Sequence, residues 1–193
     1  MNILDKFHNW RRKRRWNKQY KTGRWDSLKS EIESKRYYQI IDFMKKYAVE
    51  NPRILDLGCG DGVLNKRMDK FNFENFVGVD YSDVSIKKAK AENFPKSEFL
   101  VSDIVKYQPE QIFDVVVFNE VFYYIHENEK RNVLNRICKN LSDKAIIIVS
   151  IYREGLGVWE YFKENPKLKE IDFKRVTTEI EKTYWKIAVY KQS

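Results

Sequence analysis

The segment Ile54-Leu55-Asp56-Leu57-Gly58-Cys59-Gly60-Asp61-Gly62 runs an apolar strand straight into three alternating glycines. Such a turn lets a ligand approach the backbone closely, and in an open α/β sheet it lies at the carboxyl ends of the strands, where ligands bind. The dinucleotide pattern would need glycine at position 63, where Val63 stands, and the lysine of a P-loop is missing. Phosphate is therefore a poor match. Asp80 closes the next apolar run twenty positions beyond Gly60, the place from which a carboxylate accepts both hydroxyls of a ribose. Tyr81 beside it can lie against an adenine face, and Asp103 in Val101-Ser102-Asp103-Ile104 can accept an exocyclic amine. An adenosine-like ligand is expected.

A second group of reactive side chains follows in Asn119-Glu120-Val121-Phe122-Tyr123-Tyr124-Ile125-His126, which brings carboxylate, phenols and imidazole to one stretch. It comes directly after the apolar run Phe113 to Phe118 and so falls at the same sheet edge as the glycine turn.

The elements that position these residues alternate in type. Residues 26 to 47 carry apolar side chains near helical spacing and predict one or two helices, stopped before Pro52. Strands are expected at 53–57, 76–80, 98–101, 113–118 and 145–151, with helices at 62–70, 82–93 and 127–140 between them. The runs lack alternation, as strands covered on both faces do. A short helix at 158–163 and two strands at 171–180 and 184–190, joined closely enough to be antiparallel, complete the chain. The fold class expected is α/β, a Rossmann-like three-layer sandwich. One domain covers 1–193: a basic arm to residue 24, a helical lid over 25–50 and the core over 51–193.

Of the net charge of +9, residues 1–24 supply +8, nine basic residues against Asp5. Only that arm can grip polyanions strongly; a solubilising, partly frayed terminus is the plainer reading. Cys59 and Cys138 form no CxxC pair, and with His8 and His126 they make no metal-ligand cluster. No apolar run approaches the roughly 20 residues of a membrane span, and a soluble cytoplasmic chain is expected.

Four segments in register resemble the class I S-adenosylmethionine-dependent methyltransferases: Asp56 to Gly62, Gly78-Val79-Asp80-Tyr81-Ser82, Ser102-Asp103-Ile104, and Phe113 to Glu120. The resemblance covers roughly Trp16 to the C-terminus. It implies a seven-stranded, mostly parallel sheet with an antiparallel last strand, and S-adenosyl-L-methionine as cofactor, leaving as S-adenosyl-L-homocysteine. It would put the methionine part of the cofactor against Gly58, Cys59 and Gly60 in the motif opened by Asp56, the ribose on Asp80, the adenine near Tyr81, Asp103 and Ile104, and Asn119 at the sulfonium. Trp16, Tyr20, Gly23, Arg24 and Trp25, then Glu33, Arg36 and Tyr37, look like the lid of a small-molecule subgroup that includes the nodulation N-methyltransferases. There Arg36 would pair with the methionine carboxylate, or else form a helix-surface ion pair with Glu33.

Methyl transfer requires an acceptor held in line and stripped of its proton. His126 is the side chain whose ordinary pKa best suits that base, with Glu120 or Tyr124 orienting the acceptor. Because the body beyond the arm is almost neutral, the acceptor expected is a hydroxyl or amine on a small polar metabolite, sugar and surface-polysaccharide precursors among them. Trp159, Tyr161 and Phe162 either wall its pocket or belong to the core. Two alternatives stand beside this reading. One is an RNA methyltransferase that grips phosphates with the arm and stacks bases on Trp10 and Trp16. The other is a cofactor-binding module without catalysis, whose arm touches a membrane surface or a protein. A nicotinamide-dependent oxidoreductase is disfavoured by the glycine spacing.

Overall fold

The computed structural model describes residues 3–155 and 157–192, and the side chains from residue 10 onward. Asp5 and Lys6, counted above in the arm's charge, and His8, weighed above as a metal ligand, therefore have side chains outside the described part. The helices are α1 (Ile3–Lys21), α2 (Glu31–Tyr47), α3 (Val63–Arg67), α4 (Asp83–Ala91), α5 (Glu127–Cys138) and α6 (Val158–Lys163). The strands are β1 (Arg53–Leu57), β2 (Asn75–Asp80), β3 (Ser97–Val101), β4 (Phe113–Asn119), β5 (Leu141–Tyr152), β6 (Leu168–Thr177) and β7 (Tyr184–Gln192).

The strands form one seven-stranded sheet in the order β3-β2-β1-β4-β5-β7-β6. Pairings from β3 across to β5 are parallel, and β7 runs antiparallel to both of its neighbours. The chain moves outward from β1 through β2 to β3, then returns to place β4 on the other side of β1. That reversal opens a crevice above the carboxyl ends of β1 and β4, the place where such sheets bind ligands.

Helices on both faces explain the unbroken apolar strands. In β4, Val115 and Val117 pack into one cluster with Tyr37, Ile40 and Met44 of α2, whereas Val116 and Phe118 pack into another with Val133, Leu134 and Ile137 of α5. Successive side chains of a strand point to opposite faces, so both sets are removed from water. Each such side chain is worth roughly 1.5–3 kcal/mol of burial. At the opposite end of the sheet from the crevice, Arg53 donates to both carboxylate oxygens of Asp114, from Nε at 2.8 Å and Nη2 at 3.0 Å, and ties β1 to β4.

Local signals set the helix starts. The Ser30 side chain accepts from Glu33 N at the head of α2, and Ser82 accepts from Ser85 N at the head of α4. Four expectations need correction. The helix expected at 62–70 stops at Arg67, where Met68 N turns back to Asn65 O. The fifth strand begins at Leu141 rather than 145, because β4 also pairs with this polar lead-in, Phe113 against Leu141. β6 sits three residues earlier than expected, at Leu168–Thr177. The basic arm is a 19-residue helix laid against α4 rather than a frayed end. Asn17 fixes it there: its Oδ1 accepts from Ser82 Oγ at 2.7 Å and its Nδ2 donates to Asp83 at 2.9 Å, next to an ion pair between Lys13 and Asp83.

Candidate active site

The crevice is a cavity of about 510 Å³ floored by the carboxyl ends of β1, β2 and β4 and roofed by α1, α2 and the turn between them. Gly58 and Cys59 hang their backbone N–H groups on Val79 O at 2.7 and 3.1 Å, which curls the turn over β2. Gly58 has φ +77°, and a Cβ there would stand 2.4 Å from Val121 Cγ2, so this position accepts no side chain. Gly60 N donates to Asp80 Oδ2 at 3.0 Å, and the same carboxylate accepts at Oδ1 from Ser82 N at 2.8 Å and Ser85 Oγ at 3.1 Å. Burial raises the Asp80 carboxyl against those three donors.

Arg36, on α2, is 1% exposed, and its fork spans the cavity's middle: Nη1 donates to Asn119 Oδ1 at 2.5 Å and Nη2 to Glu33 Oε2 at 2.6 Å. Its guanidinium also lies 4.5 Å from the Tyr37 ring centre and 5.5 Å from that of Trp185. The ion pair with Glu33 is thus formed, but on the Arg36 side it is buried and extends to β4, while Glu33 stays partly exposed. Asp56 is 2% exposed, and burial together with the charge of Asp80 pushes it up to about 7 against the pull of Arg36. Asp56 Oδ1, Arg36 Nε and Trp25 Nε1 are buried in the cavity wall without a hydrogen-bond partner among the described residues.

At the adenine end expected from the sequence, Tyr81, Asp103 and Ile104 line the cavity together. Arg12 of α1 reaches in beside them; its Nη2 donates to Asp103 Oδ2 at 2.5 Å, and its guanidinium lies 4.9 Å from the Tyr81 ring centre. Trp25 stacks on Trp16 at 5.6 Å, and Trp16 meets Tyr124 edge-on at 5.0 Å. The buried Tyr20 places its hydroxyl where a Cβ on Gly60 would be, 2.6 Å away.

Glu120 marks the other end. It adopts φ +57° straight after β4, an unusual conformation for a residue with a Cβ, and this turns its carboxylate back toward β5. There Oε1 accepts from Ser150 Oγ at 3.2 Å, and Oε2 from Tyr123 OH at 3.0 Å and Tyr152 N at 3.1 Å. Burial lifts its carboxyl to about 7 against Arg36 and those donors. Tyr124, half exposed, closes this end of the cavity.

The other expected groups lie elsewhere. His126 stands exposed at the start of α5, its Nδ1 2.7 Å from Asn128 Oδ1, and is not among the cavity's lining residues. That position gives the expectation that it serves as the base no support. Trp159 and Phe162 pack in the core, and Tyr161 binds Glu127 on the surface beyond it. Ser150, Tyr152 and Arg12 were not singled out by their spacing. Arg12, Trp16 and Tyr20 do recur every four residues, a helical stripe that marks one face of the arm. Nothing in the sequence ties Tyr152 to Glu120. Among the described residues there is no group of side chains able to hold a metal ion, and no helix is long and apolar enough to cross a membrane.

Among solved structures, the N-methyltransferase NodS from Bradyrhizobium japonicum, in complex with S-adenosyl-L-homocysteine, superposes with a TM-score of 0.75 over 87% of this chain and 91% of its own, at 17% identity. A TehB-like S-adenosylmethionine-dependent methyltransferase from Corynebacterium glutamicum covers 96% of this chain and 98% of its own, with a TM-score of 0.66 and 20% identity. Among curated proteins, a malonyl-[acyl-carrier protein] O-methyltransferase of Ilyobacter polytropus is 31% identical over 122 residues, 62% of this chain and 45% of that protein. The chain thus spans less than half the length of that relative. Residues 48–191 match the family described as Methyltransferase domain. With the glycine turn, the 3-2-1-4-5-7-6 sheet and this match in place, the chain belongs to the methyltransferase-domain family and has the fold of its class I, S-adenosylmethionine-dependent members.

Proposed function

We propose that the chain acts as one methyltransferase domain, which transfers a methyl group from S-adenosyl-L-methionine to a hydroxyl or amine of a small polar metabolite, sugar and surface-polysaccharide precursors among the acceptors considered. The observation that carries this reading is the cavity's charge. Six carboxyl groups (Glu33, Asp56, Asp61, Asp80, Asp103 and Glu120), of which Asp56 and Glu120 are lifted to about 7, line it against two guanidinium groups, in a chain whose net charge is +9. A cationic sulfonium ligand complements such a cavity. The orphaned polar atoms fit it too: Asp56 Oδ1 is an acceptor for an ammonium and Arg36 Nε a donor for a carboxylate, while Asp80 faces the ribose position.

When bound, the cofactor supplies an electrophilic methyl group. The protein's own contribution is then to orient, dry and deprotonate. Asn119, held by Arg36, would face the sulfonium, and Trp16, Trp25 and Tyr124 exclude water from that side. Glu120 would take the acceptor's proton at Oε1 or Oε2, since its near-neutral pKa lets it both hold and release a proton at physiological pH. Tyr123 and the Tyr152 amide keep that carboxylate aimed.

The test is to incubate the protein with methyl-labelled S-adenosylmethionine and two separate host pools, desalted RNA and the small-molecule extract. Label in the small-molecule pool is expected. Label confined to RNA would overturn the acceptor class, and label in neither would overturn methyl transfer itself.

A further inference from the structure

Helix α1 has two unlike faces. Arg12, Lys13, Trp16, Asn17 and Tyr20 turn toward the cavity and α4, where each has a partner described above. On the opposite side Arg11, Arg14, Arg15, Lys18 and Lys21 are exposed, and their spacing of three and four residues lines them along one stripe of the helix. Residues 10–21, the part of α1 whose side chains are described, contain no Asp or Glu, and the body beyond residue 24 is close to neutral. The cations that pack α1 against the cavity and α4 are thus distinct from those on its exposed side.

One aromatic ring accompanies the outer stripe. Trp10 is 54% exposed, with the Arg14 guanidinium 5.3 Å from its ring centre. Neither the cavity nor the core uses it. Among the described side chains of α1, Trp16 and Tyr20 are turned inward, so residues 10–21 present one indole on a convex basic face. Single-stranded RNA is gripped by successive aromatic platforms along a charged groove, and the described side chains of this face offer neither. A plane of anionic headgroups matches it better: four or more Lys or Arg on one helix face meet the surface charge, and one Trp settles at the headgroup level.

We propose that the outer face of α1 is a docking surface for an anionic lipid bilayer, with Arg14, Arg15, Lys18 and Lys21 as the charge contacts and Trp10 as the interfacial anchor. The inner face of the same helix roofs the cavity, so a docked chain carries its cavity next to the bilayer surface.

The test is co-sedimentation of the full chain with vesicles of phosphatidylcholine alone, and with about one third phosphatidylglycerol, at low and rising salt. Binding to the anionic vesicles alone is expected, weakening as salt rises. The triple variant Arg14→Glu, Arg15→Glu, Lys18→Glu is expected to bind them at least about tenfold less well while its melting temperature and its affinity for S-adenosylhomocysteine stay those of the wild type. Should that variant melt early, the single substitutions Arg15→Ala and Lys18→Ala make the same comparison, and Trp10→Ser is expected to weaken binding several-fold. Equal binding to both vesicle types, binding to neither, or retention of a polyuridylate RNA under conditions where vesicles are not bound would each overturn the proposal.

Discussion

Arg36 and Asn119 stand 83 positions apart in the chain, yet they share a 2.5 Å hydrogen bond at the centre of the cavity. The bond joins the roof helix α2 to the end of β4, and Glu33 completes the other side of the guanidinium at 2.6 Å. Replacing Arg36 with Met leaves Glu33 and Asn119 facing an apolar stem. Removing one partner of a buried pair costs about 3–5 kcal/mol, so denaturant unfolding should show a loss of that order. Lys in its place should recover part of the stability, since it returns the charge without the fork.

Glu120 governs the expected pH profile. With its carboxyl lifted to about 7, kcat/KM should rise with pH through that value as the base ionises. Glu120→Gln keeps one acceptor oxygen for Tyr123 and the Tyr152 amide, with its NH2 donating to the Ser150 hydroxyl instead, but cannot take a proton. It is expected to lower kcat about 10²- to 10⁴-fold and to abolish the inflection.

His126 offers the contrasting case. Exposed at the start of α5 and outside the cavity, it should tolerate Ala with turnover within a few-fold of the wild type from pH 6 to 9. A loss on the scale expected for Glu120 would put the imidazole back into the chemistry.

Stability should depend on pH through opposed groups, with Asp56 and, in the same sense, Glu120 on one side and Asp114 on the other. Asp56 keeps its proton up to about 7 in the folded chain, whereas an unfolded Asp loses it near 4. The folded state binds more protons across that window, so Asp56 makes stability fall as pH rises from about 4 to 7. Asp114 is held down to about 2 by Arg53 and Ser142. Its contribution is present above pH 4 and is lost as pH falls toward 2. Urea midpoints across pH should show the first slope flattened in Asp56→Asn and the second in Asp114→Asn.

Gly58→Ala brings two penalties. The φ of +77° costs a side chain about 1–2 kcal/mol, and the new Cβ stands 2.4 Å from Val121 Cγ2, adding about 1–3 kcal/mol of overpacking. Adding Val121→Ala removes the 2.4 Å contact but leaves the Val121 Cβ at 2.7 Å, so it should recover only a fraction of the steric part, which a double-mutant cycle would measure.

The glycine turn, Asp80 and the βαβ order were legible in the sequence because each rests on local signals, apolar runs followed by residues that permit tight turns. The arm was harder. Its outward cations read as a solvated tail, although the Arg12, Trp16, Tyr20 stripe already marks an inward face. What no spacing carries is contact between distant segments. The grip of Ser150 and Tyr152 on Glu120 joins β5 to the end of β4, and it depends on a positive φ that the sequence does not announce. His126 drew the base assignment through its ordinary pKa and its place after β4, and the fold leaves it exposed and outside the cavity lining.

The account turns on whether the acidic cavity holds the cofactor through Asp80. Calorimetric titration of S-adenosylhomocysteine into the wild type and into Asp80→Ala tests this most directly. One site per chain is expected, with affinity falling by at least about tenfold in the variant as the ribose loses a charged hydrogen-bond partner. Absence of binding to the wild type, or equal affinity in both proteins, would contradict it.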